Sequence, residues 1–380
     1  MHDTSDTEAR RYHRRQFGLT LADLAIGALL LVWWIWSGAA GRLAAFLEAR
    51  LDSPAAVVAA MALALGASQA LLTFPLDVLG GFVLPRRAGL LTQRFGSWLR
   101  DRAKALAIGG ALGLLAAEVA YTLLRWSAGW WWLWAGGVLA AGIVLLAAIV
   151  PVWLVPLFYR LTPLADSALR ERILALAERV GVQAAEVAVA DLSSKGRAAN
   201  AAVVGLGRTR RILVSDTLLA AFPVEEVEVV LAHELAHHAR GHVARGLVLQ
   251  SALIVVALWA ADRALRAGTV AIGLAGPADP AGLPFFALVV TALGLLATPL
   301  AAAWSRRLER EADRVALDIT RAPDAFVAAM ERLGRLNLAE RRPGRVRELL
   351  FATHPSIEAR IAAGREWRPS GRGARLAPTA

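Results

Sequence analysis

The stretch LAHELAHHARGH, residues 231–242, holds four of the seven histidines in a chain of 380 residues. It lies in a segment, 224–266, that reads as helical throughout and that we expect to form one unbroken helix. His233 and His237 are four residues apart, so they share one face of that helix and can bind one metal ion. Glu234 is adjacent to them and points toward the open side of that ion.

The pattern H-E-x-x-H is typical of zinc-dependent hydrolases, in which two histidines hold the metal and the glutamate is a general base for water. The alternative is that the histidines are simply solvated, but the independently predicted helix favours a metal site. His238 faces away from the pair and is expected to be exposed. We expect His242 to brace the end of the helix rather than bind metal.

A third protein ligand is needed if the fourth position on the metal is to hold water. The segment SRRLEREADRVALD, residues 305–318, follows the last apolar run and puts Glu309 and Asp313 on one helical face. We predict that Glu309 is the third ligand and that Asp313 orients a ligating histidine. The alternative is a solvated charged helix in which these acids pair with Arg306 and Arg310.

The composition indicates a membrane protein: 57% of the residues are hydrophobic, 19% are charged, and the mean hydropathy is +0.49. A bilayer core about 30 Å thick needs roughly 20 apolar residues of helix. We therefore expect six membrane spans, at residues 20–41, 55–84, 105–124, 130–158, 245–261 and 283–303. The absence of cysteine excludes disulfides, thiolate catalysis and cysteine-based zinc sites.

The net charge of +11 could suggest a nucleic-acid ligand, but its placement favours a lipid bilayer as partner and no nucleic acid. Arginines gather beside the apolar runs, before the first, after the second and after the sixth, whereas the alternate loops are nearly neutral or short. This is the positive-inside pattern, and it predicts that both termini are cytoplasmic. Arginine also far outnumbers lysine, since only Lys104 and Lys195 are lysines, which favours a bacterial inner membrane.

Three regions follow along the chain. Residues 1–159 form a membrane domain with four spans. Residues 160–365 form a second domain, interleaved with spans five and six. Residues 366–380 read as a disordered basic tail.

The second domain is predicted to be mixed α+β. Its first element is a helix at 163–181, and three short strand-like runs follow at 186–192, 200–206 and 210–216. The loop SSKGRAAN, residues 193–200, joins the first two of these strands. Its composition does not decide between a plain surface connection and a functional loop.

The chain resembles the integral-membrane zinc metalloproteases of the CAAX prenyl protease 1 type. The stretches that carry the resemblance occur in the family's order between about residues 74 and 361: GFVLPRRAGLLTQRFGSWLRDRAKAL (81–106), ANAAVVGLGRTRRILVSDTLL (199–219), HELAHHARGH (233–242), SRRLEREADRVAL (305–317) and THPSIEARI (353–361). The implied fold is mainly α, a polytopic membrane helical bundle of about six spans with a cytoplasmic zincin-like α+β metalloprotease domain.

The resemblance also implies roles for individual residues. It makes His233, His237 and Glu309 the ligands of one zinc ion (Zn2+) per chain and Glu234 the general base. It makes Asn200, with Ala201, a contact for the substrate backbone on an exposed edge strand. It places His354 and Arg360 at the scissile carbonyl, and it leaves Asp313 and His242 behind the ligands.

Two departures from the family pattern are visible. Eukaryotic members have seven spans around a large intramembrane chamber, whereas this chain has six. The long acidic insertion before H-E-x-x-H is also missing, because only AAFPVEE (220–226) separates the strands from the helix. We expect any lid there to be short.

Two classes of function compete. The first is a membrane-facing zinc endopeptidase that acts on peptide or protein substrates, either prenylated C-terminal peptides or damaged membrane proteins. The second is a non-catalytic membrane scaffold or a metal-permeation protein, in which Asp77 and Glu118 would line an ion path. We favour the endopeptidase because a scaffold has no reason to keep a base, two histidines and two downstream carboxylates together.

Overall fold

The computed structural model describes residues 2–205 and 210–369. Within these ranges the helices are α1 (His2–Trp36), α2 (Ala39–Glu48), α3 (Pro54–Val78), α4 (Leu84–Arg87), α5 (Phe95–Trp126), α6 (Trp131–Ile149), α7 (Val155–Phe158), α8 (Ser167–Arg179), α9 (Asp216–Ala221), α10 (Val224–Ala239), α11 (His242–Ala271), α12 (Leu283–Thr320), α13 (Pro323–Leu336), α14 (Arg345–Phe351) and α15 (Ile357–Glu366). The strands are β1 (Leu161–Pro163), β2 (Glu186–Ala190), β3 (Ala201–Val204) and β4 (Arg211–Ser215).

Six helical stretches in the described chain are long and apolar enough to cross a membrane, as predicted. They are Asp6–Trp36, Pro54–Arg87, Phe95–Trp126, Trp131–Ile149, His242–Ala271 and Pro280–Thr320. The short helix α2 has ten residues, about 15 Å of helix, and cannot span a hydrocarbon core of about 30 Å. It packs instead in an apolar cluster with α3, α5 and α6 at the end of the bundle away from the sheet.

The prediction of one unbroken helix over 224–266 is wrong. Helix α10 ends at Ala239, and α11 begins at His242 after Gly241, which has a φ of 63°. Glycine adopts this left-handed conformation without the steric cost that a Cβ atom brings, and it commonly ends helices in this way. The break turns His242 back toward the face of α10 that carries the metal-binding motif.

The second domain contains a four-stranded sheet in the order β1-β2-β4-β3, with β2 and β4 parallel and the outer pairs antiparallel. The three strand-like runs of the sequence correspond to β2, β3 and β4, and their predicted bounds are one to two residues too long in the described part. Strand β1 was not predicted, because its three residues carry no apolar alternation. Strand β3 lies at the edge of the sheet, next to α10.

The core of this domain lies where the sheet packs against helices α8, α10 and α13. Ile173, Leu176, Ile212, Leu231 and Phe326 are fully buried there. Each such side chain stabilises the fold by about 1.5–3 kcal/mol relative to exposure. This core fixes α10, and therefore the motif on it, against the edge strand.

Helix α12 connects the membrane bundle to the second domain. It has 38 residues, about 57 Å of helix, which is longer than one bilayer crossing requires. Its last turns pass alongside α10, where they bring Glu309 and Asp313 to the histidines. One continuous helix thus carries the carboxylates from the membrane into the sheet domain.

The last described residues pack against the domain. Trp367, which the sequence analysis assigned to a disordered tail, is half-buried, and its indole Nε1 donates a hydrogen bond to Asp318 at 2.9 Å. The rest of that predicted tail, residues 370–380, lies outside the described residues.

Candidate metal centre

Three side chains from two helices bring their ligand atoms together. His233 Nε2 lies 3.3 Å from His237 Nε2, and Glu309 Oε2 and Oε1 lie 3.2 and 3.3 Å from these two nitrogens. The ligand atoms of the three residues all lie within 4.8 Å of one another. Glu309 Oε2 is buried and makes no hydrogen bond. A buried carboxylate oxygen without a hydrogen bond, facing two imidazole nitrogens, fits a tetrahedral cation with nitrogen and oxygen ligands.

Asp313 and Arg360 orient His233 from behind. Asp313 Oδ1 lies 2.9 Å from His233 Nδ1, on the side of the ring opposite Glu309. Arg360 donates to both oxygens of Asp313, with Nε at 2.9 Å from Oδ2 and Nη2 at 2.6 Å from Oδ1. Because Nδ1 of His233 donates to Asp313, Nε2 keeps its lone pair for a cation.

His237 has a different partner behind it. Its Nδ1 lies 3.0 Å from Nδ1 of His242, and Nε2 of His242 lies 3.4 Å from Oε2 of Glu311. With a proton on His237 Nδ1, the Nε2 atom is free to bind metal, and His242 directs its own N–H toward Glu311. His242 lies at the predicted helix end, but its partner Glu311 was not predicted, because it lies two residues beyond Glu309 on a helix rich in similar charges.

The two histidines have opposite proton affinities. Burial and the nearby guanidinium of Arg360 lower the pKa of His233, but the carboxylates of Asp313 and Glu309, 2.9 and 3.2 Å from its ring nitrogens, outweigh them and raise it to about 9. Burial, and the charge of His233, lower the pKa of His237 to about 4. Burial raises the pKa of Glu234, which moves this carboxylate toward the range useful for a general base.

A cleft of about 660 Å³ leads to these residues. Glu234 lines it together with Asn200, Ala201, His354 and Arg360. Its other walls come from α13, from the segment after α14 and from α1, where Phe17 packs edge-on against Phe351. The predicted base, the predicted substrate strand and a membrane helix therefore face one cavity.

His354 is exposed, unlike the three predicted metal ligands. Its side chain is 61% exposed, its Nε2 lies 3.5 Å from Oε2 of Glu309, and its Nδ1 lies 2.9 Å from the hydroxyl of Thr353. The segment that carries it is held by Arg306, which donates to the carbonyl oxygens of Glu348, Leu349 and Ala352. The sequence analysis gave Arg306 only as a possible surface partner of the acids, whereas it is buried and bonds the backbone instead.

Arg360 has a second set of partners besides the cleft. It lines the cleft, yet its Nε and Nη2 atoms donate to Asp313, and Nη2 also lies 3.3 Å from Nδ1 of His233. These two nitrogens face Asp313 and His233 and hold the charge of Arg360 beside them.

The loop 193–200 is docked on the membrane domain. Lys195 Nζ contacts Asp101 at 2.5 Å, and the backbone N–H of Thr92 donates to the Lys195 carbonyl at 3.0 Å. At Gly196 an added Cβ would lie 2.6 Å from the carbonyl oxygen of Leu90, so only glycine permits this approach. The loop leads directly into β3, so the membrane domain helps to position the strand that faces the cleft.

His238 is not exposed as predicted. It is half-buried, and its Nε2 lies 2.8 Å from the carbonyl oxygen of Val203 on β3. Asn200 is exposed at the entrance to that strand and, with Ala201, lines the cleft.

Comparisons with known proteins agree with this arrangement. Peptidase family M48 matches residues 163–368, and the family described as CAAX prenyl protease N-terminal, five membrane helices, matches residues 2–160. The chain belongs to peptidase family M48. Within residues 2–160 the described chain has four helices long enough to span a membrane, and the short α2 lies between the first two.

Two proteins and one crystal structure are similar to this chain. The uncharacterized metalloprotease YhfN of Bacillus subtilis (strain 168) is 30% identical over 295 residues, which are 77% of this chain and 69% of that protein. CAAX prenyl protease 1 of Saccharomyces cerevisiae is 31% identical over 215 residues, 55% of this chain and 47% of the yeast protein. The crystal structure of S. mikatae Ste24p superposes with a TM-score of 0.81 at 22% identity and covers 95% of this chain and 88% of its own. The chain is thus a multi-pass membrane metallo-endopeptidase with the fold of Ste24p.

Proposed function

We propose that this protein is a zinc endopeptidase in which His233, His237 and Glu309 hold the ion. The observation that carries the proposal is the convergence of these three ligand atoms at a cleft of about 660 Å³, with Asp313 behind His233 and His242 behind His237. When bound, zinc polarises a carbonyl and lowers the pKa of a bound water to about 7.

The chain's own residues perform the proton transfers. Glu234 accepts a proton from the attacking water and delivers it to the leaving amine, a task suited to its raised pKa. His354 hydrogen-bonds the carbonyl oxygen as negative charge develops on it. Arg360 and Asp313 keep His233 in the tautomer that leaves Nε2 free.

The substrate lies extended along β3. An edge strand whose backbone faces the cleft can add a peptide as a further strand, with Asn200 and Ala201 at the contact. The contribution of α1 to the cleft wall supports a substrate that arrives at the membrane surface. We infer that it is a prenylated C-terminal peptide, as the name of the yeast relative suggests, or a segment of a membrane protein.

The test is a cleavage assay with the full-length protein in detergent, using one peptide with a C-terminal Cys-aliphatic-aliphatic-Met sequence in farnesylated and plain forms. We expect cleavage that a chelator abolishes and that zinc restores. A preference for the farnesylated form assigns prenylated substrates, and equal rates assign membrane-protein segments. Absence of zinc-dependent cleavage of either form, and of a membrane-protein segment, would favour the non-catalytic scaffold.

We also propose that the active site faces the cytoplasm of a bacterium and that the protein lies in the inner membrane. The arginines near the site, such as Arg306 and Arg310, are on the side of the bundle that the positive-inside rule assigns to the cytoplasm. Helix α11 extends to Ala271, so the opposite loop is shorter than residues 262–282, the stretch between the predicted fifth and sixth spans. A reporter inserted at 273–278 is expected to read as extracytoplasmic, and a cytoplasmic reading there would reverse the orientation.

A further inference from the structure

Strand β3 exposes the backbone hydrogen-bonding groups of every second residue at its open edge. The N–H of Ser215 donates to the carbonyl of Asn200 at 2.9 Å, so the backbone of Asn200 faces the neighbouring strand β4. Because hydrogen-bonding groups alternate along a strand, those of Ala199, Ala201 and Val203 point to the open edge. These three residues are the places where an added peptide strand could pair.

The first of these places is already occupied by a side chain. The N–H of Ala199 donates to Oδ1 of Asn337 at 2.9 Å, and Nδ2 of Asn337 donates to the carbonyl of Ala199 at 3.1 Å. The amide group of Asn337 thus makes both hydrogen bonds that a residue of a neighbouring strand would make. Only one orientation of the amide satisfies both bonds, which fixes its assignment.

Asn337 is held rigidly in that position. It follows the last residue of α13, and the next residue, Leu338, has a φ of 48°, which is uncommon for a residue with a branched side chain. Nε2 of His13 on α1 lies 2.9 Å from the carbonyl of Leu338, and the N–H of Ala339 donates to the carbonyl of Gly334 at 2.8 Å. A turn with this much local strain persists because its surroundings fix it.

The last of the three places is occupied as well. Nε2 of His238 lies 2.8 Å from the carbonyl of Val203, and the helix that carries it packs against β3. Val203 can therefore still donate its N–H to a peptide, whereas its carbonyl is already engaged by His238. Ala201, between Ala199 and Val203, lines the cleft together with Glu234 of the motif on α10.

We propose that Asn337 and His238 are specificity-determining stops that restrict two-bond backbone pairing with a peptide to Ala201. This inference rests on the proposed use of β3 as the strand that binds substrate. Of the described edge, Ala201 is then the residue that exchanges both backbone hydrogen bonds with the peptide. The substrate class that fits is a short extended segment, such as a few residues that emerge from a membrane-held or folded protein, because a longer strand gains only the single bond that the N–H of Val203 can donate.

The experiment is an ester scan of the fastest-cleaved peptide from the assay above, with full-length wild-type protein. Each non-scissile amide in turn is replaced by an ester, which removes one N–H donor and leaves the chain length unchanged. We expect one sensitive position, with kcat/KM lower by about 3- to 10-fold, the loss expected for one hydrogen bond. Ester replacement two residues to either side is expected to have little effect.

Two variants each remove one stop. In Asn337→Ala the groups of Ala199 become available, so a second sensitive position is expected two residues from the first. In His238→Ala a new sensitive position is expected on the opposite side. Arg335→Ala is the matched control, because Arg335 lies at the same end of α13 but its side chain is 53% exposed and faces Glu331; it is expected to reproduce the wild-type scan.

The outcomes separate this proposal from the proposed function. Two or more sensitive positions spaced by two in the wild type would overturn the stops, since the edge would then pair beyond Ala201. Variants that are active but repeat the wild-type scan would also overturn the stops. A wild-type scan without any sensitive position would do so as well, because it would mean that the edge does not pair with the peptide. In each of these cases zinc-dependent cleavage persists, whereas failure of the proposed function removes cleavage itself.

Discussion

Asp313 and Asp262 are both buried aspartates that arginines neutralise, yet they lie in regions with different roles. Asp313 is 3% exposed and accepts from Arg360 beside the metal-binding motif. Asp262 is fully buried in α11, at the other end of the membrane bundle. It accepts from Arg266 at 3.0 Å and from the indole of Trp131 at 2.7 Å.

The two carboxylates differ in whether their hydrogen-bond partners have a second atom that can bind a metal ion. The histidine bonded to Asp313 has a second nitrogen, and that nitrogen faces His237 and Glu309. The partners of Asp262 are donors without a free ligand atom, so the network ends there. Burial and charge pairing alone therefore do not distinguish a metal centre from a structural anchor, whereas an open ligand atom does.

The largest effects are expected at the open side of the metal centre. Glu309→Ala removes a ligand, so bound zinc and activity are both expected to fall to background. Glu234→Gln keeps all three ligands, so zinc content stays at wild type while kcat falls by about 10²–10⁴. Metal analysis of the purified variants beside the cleavage assay measures both, and equal zinc binding by the two variants would remove Glu309 from the ligand set.

His354→Ala is expected to lower kcat by about 10²–10³, the usual cost of one lost oxyanion donor. Zinc content and thermal stability are expected to stay near wild type, because the side chain is largely exposed. The measurement is kcat against metal content and melting temperature for the same preparation. A large loss of stability with unchanged activity per folded molecule would make His354 structural.

Much of the metal centre could be predicted because its information is local. The spacing of His233 and His237, and that of Glu309 and Asp313, sets which side chains share a helical face. The six spans follow from run length in the same way. Membership of one face does not depend on the rest of the fold.

What could not be predicted depends on contacts between distant segments. Arg306 reads as a surface charge, and only the position of residues 348–352 beside α12 makes it a buried anchor. Glu311 looks like its neighbouring acids until the break at Gly241 turns His242 toward it. The two stops on β3, Asn337 and His238, likewise require α13 and α10 to meet the edge strand, and no local sequence pattern encodes that contact.

Asp313→Asn tests the support behind His233. The amide can still accept from Arg360 but lacks the charge that holds the imidazole, so zinc affinity is expected to fall by about 10- to 100-fold. The free energy of unfolding is expected to fall as well, because Arg360 is left in a buried site without its counter-charge. Competition with a chelator of known affinity measures the first effect, and wild-type zinc affinity would contradict it.

The pH dependence of zinc binding follows from the pKa of His233. Below about pH 9 a proton competes with zinc for this residue, whereas His237, with a pKa of about 4, is already neutral. Zinc affinity is therefore expected to rise about tenfold per pH unit between pH 6 and 8, with one proton released per ion from this residue. Titration in buffers of different ionisation enthalpy counts that proton, and the Asp313→Asn variant, with a lower pKa at His233, is expected to release less than wild type.

Substitution of Asp262 is expected to leave catalysis unchanged, in contrast to substitution of Asp313. Asp262→Asn keeps the size of the side chain and one acceptor oxygen but weakens the bonds to Arg266 and Trp131. The bond to Trp131 joins α11 to the start of α6 and the bond to Arg266 neutralises the buried charge, so the variant is expected to lose about 1–3 kcal/mol of stability. Its kcat and zinc content are expected to match wild type, because none of its partners bonds to a metal ligand. If Asp262→Asn lowers zinc affinity as Asp313→Asn does, the two buried acids are coupled through the bundle, and an open ligand atom is not what separates them.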